Sequence, residues 1–171
     1  MIRAPFDRPD VLAKLRPVYL AKKSIVLPGA CDPSALRLPR LKRFYVANRG
    51  RYEVAELRPR KELQAFAEAL TGSRLDPVSL RLYRFRHRDY SLFYDDAVTR
   101  IERGVELSLD LSREAAGTPA IYSTGLVVPQ VPGLLAVVER TPEVFRYDRY
   151  LPAAVGRASV LRLRAQFLHA D

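Results

Sequence analysis

The chain has 171 residues, 48% of them apolar and 28% charged, which suffices for one domain with a sizeable core and is too short for two. Its charge is +10, from 29 Lys and Arg against 19 Asp and Glu, with nearly all of the excess in arginine, so a polyanion such as RNA is an expected partner, although many Arg and Pro with few Asn, Gln, Cys and Met also describe adaptation to heat. No run of about 18 apolar residues is present to span a membrane, the start MIRAPFDRPD is too interrupted by charge and proline for a signal peptide, and the lone Cys31 excludes an internal disulfide or thiolate metal cluster, so a reducing cytoplasm is the expected setting.

Residues 9–23 predict a helix opened by Pro9 and Asp10, with Val11, Leu12, Leu15 and Tyr19 on one face and a bend at Pro17. The segment 27–44 is rich in proline and basic residues, and its GACDP reads as a turn. A second helix starts at Pro59, carries the apolar stripe Leu63, Phe66, Ala67 and Leu70, and ends at Gly72. Residues 1–75 are thus expected to be a helical supporting segment of a single domain.

The period changes near Asp76. Val78, Leu80 and Leu82 alternate with polar residues; in GVELSLDLS, Val105, Leu107, Leu109 and Leu111 fall to one side and Glu106, Ser108 and Asp110 to the other. GLLAVVER reads as a short apolar strand, and ASVLRLRAQF alternates again. The expected fold class is α+β, with an antiparallel sandwich or barrel over 76–168 braced by the N-terminal helices. Arg84, Arg86 and Arg88 fall at even positions and are expected on one strand face, with Tyr83 and Phe85 on the other. Such a row suits phosphates, and it equally suits a solvated sheet surface.

The order LTG, LRLYRFRHRDYSLFYDD, GVELSLDLS, AIYSTGLVVPQVPGLLAVVER and GRASVLRLRAQF resembles the prolyl-hydroxylase-like branch of the iron and 2-oxoglutarate-dependent oxygenases over roughly residues 40–168. The resemblance implies a double-stranded β-helix, a jelly roll whose two sheets enclose a pocket. It also implies a His-x-Asp pair and a later His around Fe(II), with open positions for 2-oxoglutarate and oxygen. Here the pair falls on Tyr94 and Asp96, so the carboxylate is kept and the first histidine is not. The later histidine matches Arg146 best, with Phe145 and Tyr147 as its neighbours in the same window. The arginine that holds the 2-oxo acid matches Arg157.

A tyrosine phenol is protonated near neutral pH and ligates a divalent ion poorly, and a guanidinium repels the metal. The site therefore reads as degenerate, with no cofactor expected. Arg146 is expected to pair with Asp96, the Tyr94 ring packed beside them. His87 and Asp89 make a literal His-x-Asp seven residues earlier, but using them would displace the strand and leave a second histidine to be found only at His169. Otherwise His87 is a solvated residue in a basic run. Two functions follow. The favoured one is a non-catalytic binding module for RNA or a ribonucleoprotein, with Arg84, Arg86 and Arg88 as contacts and Arg157 at an anion pocket. The other is a prolyl-hydroxylase-like dioxygenase that uses Fe(II) and 2-oxoglutarate at an irregular metal site.

Overall fold

The computed structural model describes residues 1–92, 103–115, 118–153, 156 and 158–170. Helix α1 spans Pro9–Lys22, with Pro9 in its first turn, where a missing N–H costs nothing, and Asp10 beside the positive end of the helix dipole. It stops at Lys23, whose left-handed φ of 54° lets its N–H return to the Tyr19 carbonyl at 2.7 Å. Helix α2 spans Lys61–Thr71 and is closed in the same way by Gly72 at φ 76°. The α2 stripe Leu63, Phe66, Ala67 and Leu70 is buried as the spacing predicts, while α1 fully buries only Leu12 and Tyr19. The Arg16 guanidinium donates twice to the Ala69 carbonyl, at 3.0 and 2.6 Å, and ties the two helices together.

Eleven antiparallel strands are seen among the described residues: β1 Ser24–Leu27, β2 Lys42–Val46, β3 Gly50–Glu56, β4 Leu75–Phe85, β5 Tyr90–Ser91, β6 Gly104–Asp110, β7 Ala120–Tyr122, β8 Val127–Val128, β9 Leu135–Arg140, β10 Arg146–Asp148 and β11 Val160–His169. Their order is β1-β9-β6-β11-β4-β3-β5-β10-β7-β8, with β2 outside β3. Strand β3 is the corner. It pairs with β4 through Glu53 to Glu56 and with β5 through Gly50 and Arg51. The sheet folds over there, and the β5-β10-β7-β8 half faces the larger half in a nearly closed jelly roll. No helix among the described residues is long and apolar enough to cross a membrane.

The first 75 residues differ from the expected helical segment, because they also supply three strands. Strand β1 pairs with β9 along its whole length, from Ser24 opposite Val138 to Leu27 opposite Leu135. Strands β2 and β3 make a hairpin that starts at the end of the proline-rich segment 27–44 and runs through residues for which no element is predicted. The hairpin escaped the periodicity because four of the five β2 residues are exposed, and because its bend uses Asn48 at φ 61° without a following glycine.

The main apolar core lies between the helices and one face of the large half-sheet. Leu12, Tyr19, Leu63, Phe66 and Leu70 pack there with Leu80, Leu82, Val105, Leu107, Leu109, Val137, Leu163 and Phe167. That sheet is covered on both faces. All seven β6 residues are buried, so the alternation predicted for GVELSLD is present, but its polar side faces the jelly-roll interior rather than water.

Candidate functional site

Glu106, Ser108 and Asp110 of β6 point into the interior, as do Arg140 of β9 and Arg162, Arg164 and Gln166 of β11, all nearly or fully buried. The facing half-sheet contributes Tyr122, Arg146 and Asp148, on neighbouring strands whose register sets Arg146 opposite Tyr122. Glu106 is the hub. One carboxylate oxygen accepts from Arg146 Nη1 at 2.6 Å and from the Tyr122 hydroxyl at 2.7 Å; the other accepts from Arg140. Arg146 also donates to Ser108 Oγ at 3.1 Å and to Asp148 Oδ1 at 3.3 Å. Arg162 contacts Asp148 as well and donates to the Thr118 carbonyl at 2.7 Å, while Asp110 accepts from Gln130 at 3.0 Å and from the Ser112 N–H at 2.9 Å.

Charge explains the pairing. Four buried guanidinium groups, Arg140, Arg146, Arg162 and Arg164, meet three buried carboxylates, Glu106, Asp110 and Asp148. Burial alone would raise the Glu106 carboxyl, but Arg140, Arg146 and Arg164, with the Tyr122 hydroxyl, outweigh it and hold it far below the usual range. Burial pushes the Tyr122 phenol up, and the adjacent Glu106 charge adds to the rise although Arg146 and Arg140 oppose it. Burial, then the like charge of Arg146, lowers Arg162 to about 9, which leaves it charged at neutral pH. Arg164 sits with its guanidinium carbon 3.8 Å from the centre of the Tyr83 ring.

Of the three residues in the window for the later histidine, Arg146 is fully buried in the interior, while Phe145 is exposed and Tyr147 alternates to the other side of β10. Tyr94, Asp96 and Arg157 lie outside the described residues, and so does the expected contact between Arg146 and Asp96. The described partners of Arg146 are Glu106, Ser108, Tyr122 and Asp148. Glu106 and Asp148 are not singled out by the sequence: Glu106 falls on the polar side of its strand with no partner to distinguish it, and no element is predicted over the three residues of β10.

The row Arg84, Arg86 and Arg88 is not a single strand face. Strand β4 ends at Phe85, and Arg88 sits beyond it at φ 67°. Arg84 binds Glu53, and Arg86 Nε is 3.6 Å from the same carboxylate. The literal His87-x-Asp89 pair is also explained. Asp89 is fully buried and accepts two bonds from Arg43, at 3.0 and 2.6 Å, and one from the Arg86 N–H at 2.9 Å; Arg51 stands 3.4 Å away. His87 is half-buried, not solvated, with its ring edge-on to Tyr150.

Among the described residues no three His, Cys, Asp or Glu side chains stand together as a metal site. A guanidinium has no lone pair to give a metal, so Arg146 does not fit the role of a ligand. The chain's other histidine, His169, lies on the helix side of the sheet, its Nε2 3.0 Å from Glu139.

The chain matches no protein-family model and no curated protein. It is similar in structure to a 2OG-Fe(II) oxygenase family oxidoreductase from Burkholderia pseudomallei, with 12% identity, coverage of 94% of this chain and 92% of that one, and a TM-score of 0.69. A prolyl hydroxylase from Trichoplax adhaerens, in complex with a hypoxia inducible factor oxygen degradation domain peptide fragment, aligns at 9% identity over 94% and 90% of the two chains, with a TM-score of 0.66. A prolyl-4-hydroxylase from Pseudomonas putida aligns at 12% identity over 93% and 100%, with a TM-score of 0.63. The fold is that of the 2-oxoglutarate oxygenases. Within this oxygenase fold, the interior that the resemblance assigns to metal and 2-oxo acid carries the network of arginines and carboxylates around Glu106.

Proposed function

We propose that this protein is a catalytically degenerate member of the oxygenase fold that serves as a binding module, with RNA or a ribonucleoprotein as partner. One observation carries the loss of catalysis: Arg146, at the position of the later histidine, is a buried cation bonded to Glu106. A dication placed beside it would be repelled and would compete with the guanidinium for the same carboxylates. Neither histidine stands in the Glu106 network: His169 is bonded to Glu139 on the helix side of the sheet, and His87 lies edge-on to Tyr150 beyond the end of β4. The +10 charge supports a polyanionic partner, and a reducing compartment suits the buried thiol of Cys31.

The fold supports a second reading, a prolyl-hydroxylase-like dioxygenase using Fe(II) and 2-oxoglutarate with Asp96 and Arg157 in its site. Metal analysis and succinate release separate the two. Protein purified without chelators is expected to hold less than stoichiometric iron and to form no succinate from 2-oxoglutarate when Fe(II) is added. Iron-dependent succinate formation, lost in Asp96→Ala, would establish the dioxygenase instead.

A further inference from the structure

Much of the positive charge is concentrated in two segments that neighbour each other in the sheet. Residues 40–56 and 81–89, which comprise the β2–β3 hairpin and the end of β4, hold nine Lys and Arg against three Asp and Glu, and so carry +6 of the net +10. Glu53 and Asp89 are engaged by Arg84, Arg86, Arg43 and Arg51. Arg40, Lys42 and Arg49 are exposed and make no ion pair among the described residues.

Arg40 and Lys42 stand on the lining of a half-open cleft of about 460 Å³, whose floor is aromatic. Phe44 and Tyr52 stack at 4.7 Å with their planes 13° apart, and Tyr83 meets Tyr52 edge-on at 5.3 Å. Arg164 backs the Tyr83 ring from the interior. Arg81 completes the cationic rim, held at 2.8 Å by Glu56, the acidic group on the lining. The alternation of β2 sends Lys42 and Phe44 to this side, and pairing with β3 sets Phe44 opposite Tyr52 and Lys42 opposite Val54. Among the described residues β2 pairs only with β3 and is an edge, so no described strand lies beyond it.

We infer that this cleft takes a single-stranded polynucleotide, with a base laid against the Phe44 ring, which the buried Tyr52 ring backs, and the flanking phosphates on Arg40 and Lys42. The inference rests on the RNA-binding reading above and gives it a location other than the Arg84, Arg86 and Arg88 segment. Aromatic faces interleaved with uncompensated cations are what a strand of nucleotides needs, because every base offers a π-face and every linkage an anion. A duplex keeps its bases stacked on one another and has none to offer the rings. A purely anionic chain has no use for them.

The test is fluorescence anisotropy with a short labelled single-stranded RNA of mixed sequence, over a KCl series. Same-sequence DNA, the RNA duplex and poly-glutamate serve as competitors. Phe44→Leu is expected to weaken binding at least about fivefold. Arg40→Gln with Lys42→Gln, both exposed and safe for folding, should make the salt dependence shallower by about 0.7 per lost contact. Lys14→Gln with Lys22→Gln, on the exposed side of α1, should change neither. Absence of RNA binding by the unaltered protein would overturn the RNA-binding reading and the cleft with it. Binding that survives the cleft substitutions and falls with Arg84→Gln, Arg86→Gln and Arg88→Gln would overturn the cleft alone. Competition by duplex or poly-glutamate as strong as by single strands would remove the role of the rings. A preference for the DNA strand, still dependent on Phe44 and Lys42, would support the cleft and overturn RNA as its occupant.

Discussion

Arg146 is among the largest fully buried side chains of the molecule, and a buried guanidinium is tolerated only when its charge and most of its donors are met. Glu106 and Asp148 meet the charge, and Glu106, Ser108, Tyr122 and Asp148 take up the two terminal nitrogens, while Nε is buried with no partner among the described residues. Removing it in Arg146→Ala leaves Glu106 and Asp148 short of their counter-charge and opens a hole, so we expect a loss of about 3–5 kcal/mol. Glu106→Gln should cost a comparable amount, since it strands Arg140 and Arg146. The double substitution should cost less than the sum, with a coupling above about 0.5 kcal/mol in urea unfolding, and strict additivity would show that the contact contributes nothing. The resemblance points to Arg146 as an inward residue, but it gives no hint of Glu106, which lies 40 residues away in sequence. Only the closure of the jelly roll brings the two together.

At the scale of elements, strong periodicity was legible and its environment was not. The β6 and β11 alternations are seen as strands, yet Glu106, Asp110, Arg162 and Arg164 face a closed interior, and a period of two cannot distinguish that from water. Strand β2 failed for the opposite reason: its exposed, basic edge lacks the apolar face on which a prediction rests. Turn chemistry fixes the docking of β9. Gly133, at φ 81°, donates its N–H to the Asp110 carbonyl at 2.9 Å, and its own carbonyl accepts from the Cys31 N–H at 2.9 Å. A Cβ at this position would stand 3.0 Å from the Cys31 carbonyl oxygen. Gly133→Ala combines left-handed strain with that close approach and is expected to cost about 1–3 kcal/mol, read as a lower urea midpoint at unchanged m-value. Gly125, at φ 85° but with open space around it, should cost less in the same assay.

For the whole molecule, the polar interior makes stability a function of pH, and the direction follows from which state holds more protons. Glu106 has a folded pKa well below its ordinary 4.5. Below pH 4.5 the unfolded chain therefore takes up a proton that the folded one refuses, and the Glu106 contribution, complete above that pH, drains away as the pH falls toward the folded value. Glu53, lowered by Arg84, Arg86 and Arg43 against the effect of burial, acts in the same sense. On the alkaline side burial raises Cys31 from 9.0 to about 12 and pushes Tyr19 and Tyr122 up from 10.0. Their contribution is whole below the unfolded values and is lost as the pH rises, partly offset by Arg162, whose proton leaves the folded state first. Between pH 9 and 10 the Cys31 loss and the Arg162 gain nearly cancel, so stability is expected to be level between about pH 4.5 and 10 and to fall on both sides, the alkaline fall coming from Tyr19 and Tyr122. Acid brings a second cost, because a chain already at +10 gains charge with every protonated carboxylate and the interior arginines lose their partners. The measurement is the urea midpoint at several pH values for the unaltered protein and for Glu106→Gln. The variant should start lower at pH 7 and show a shallower fall below pH 4.5. Parallel falls in the two proteins would place the acid sensitivity in carboxylates other than Glu106.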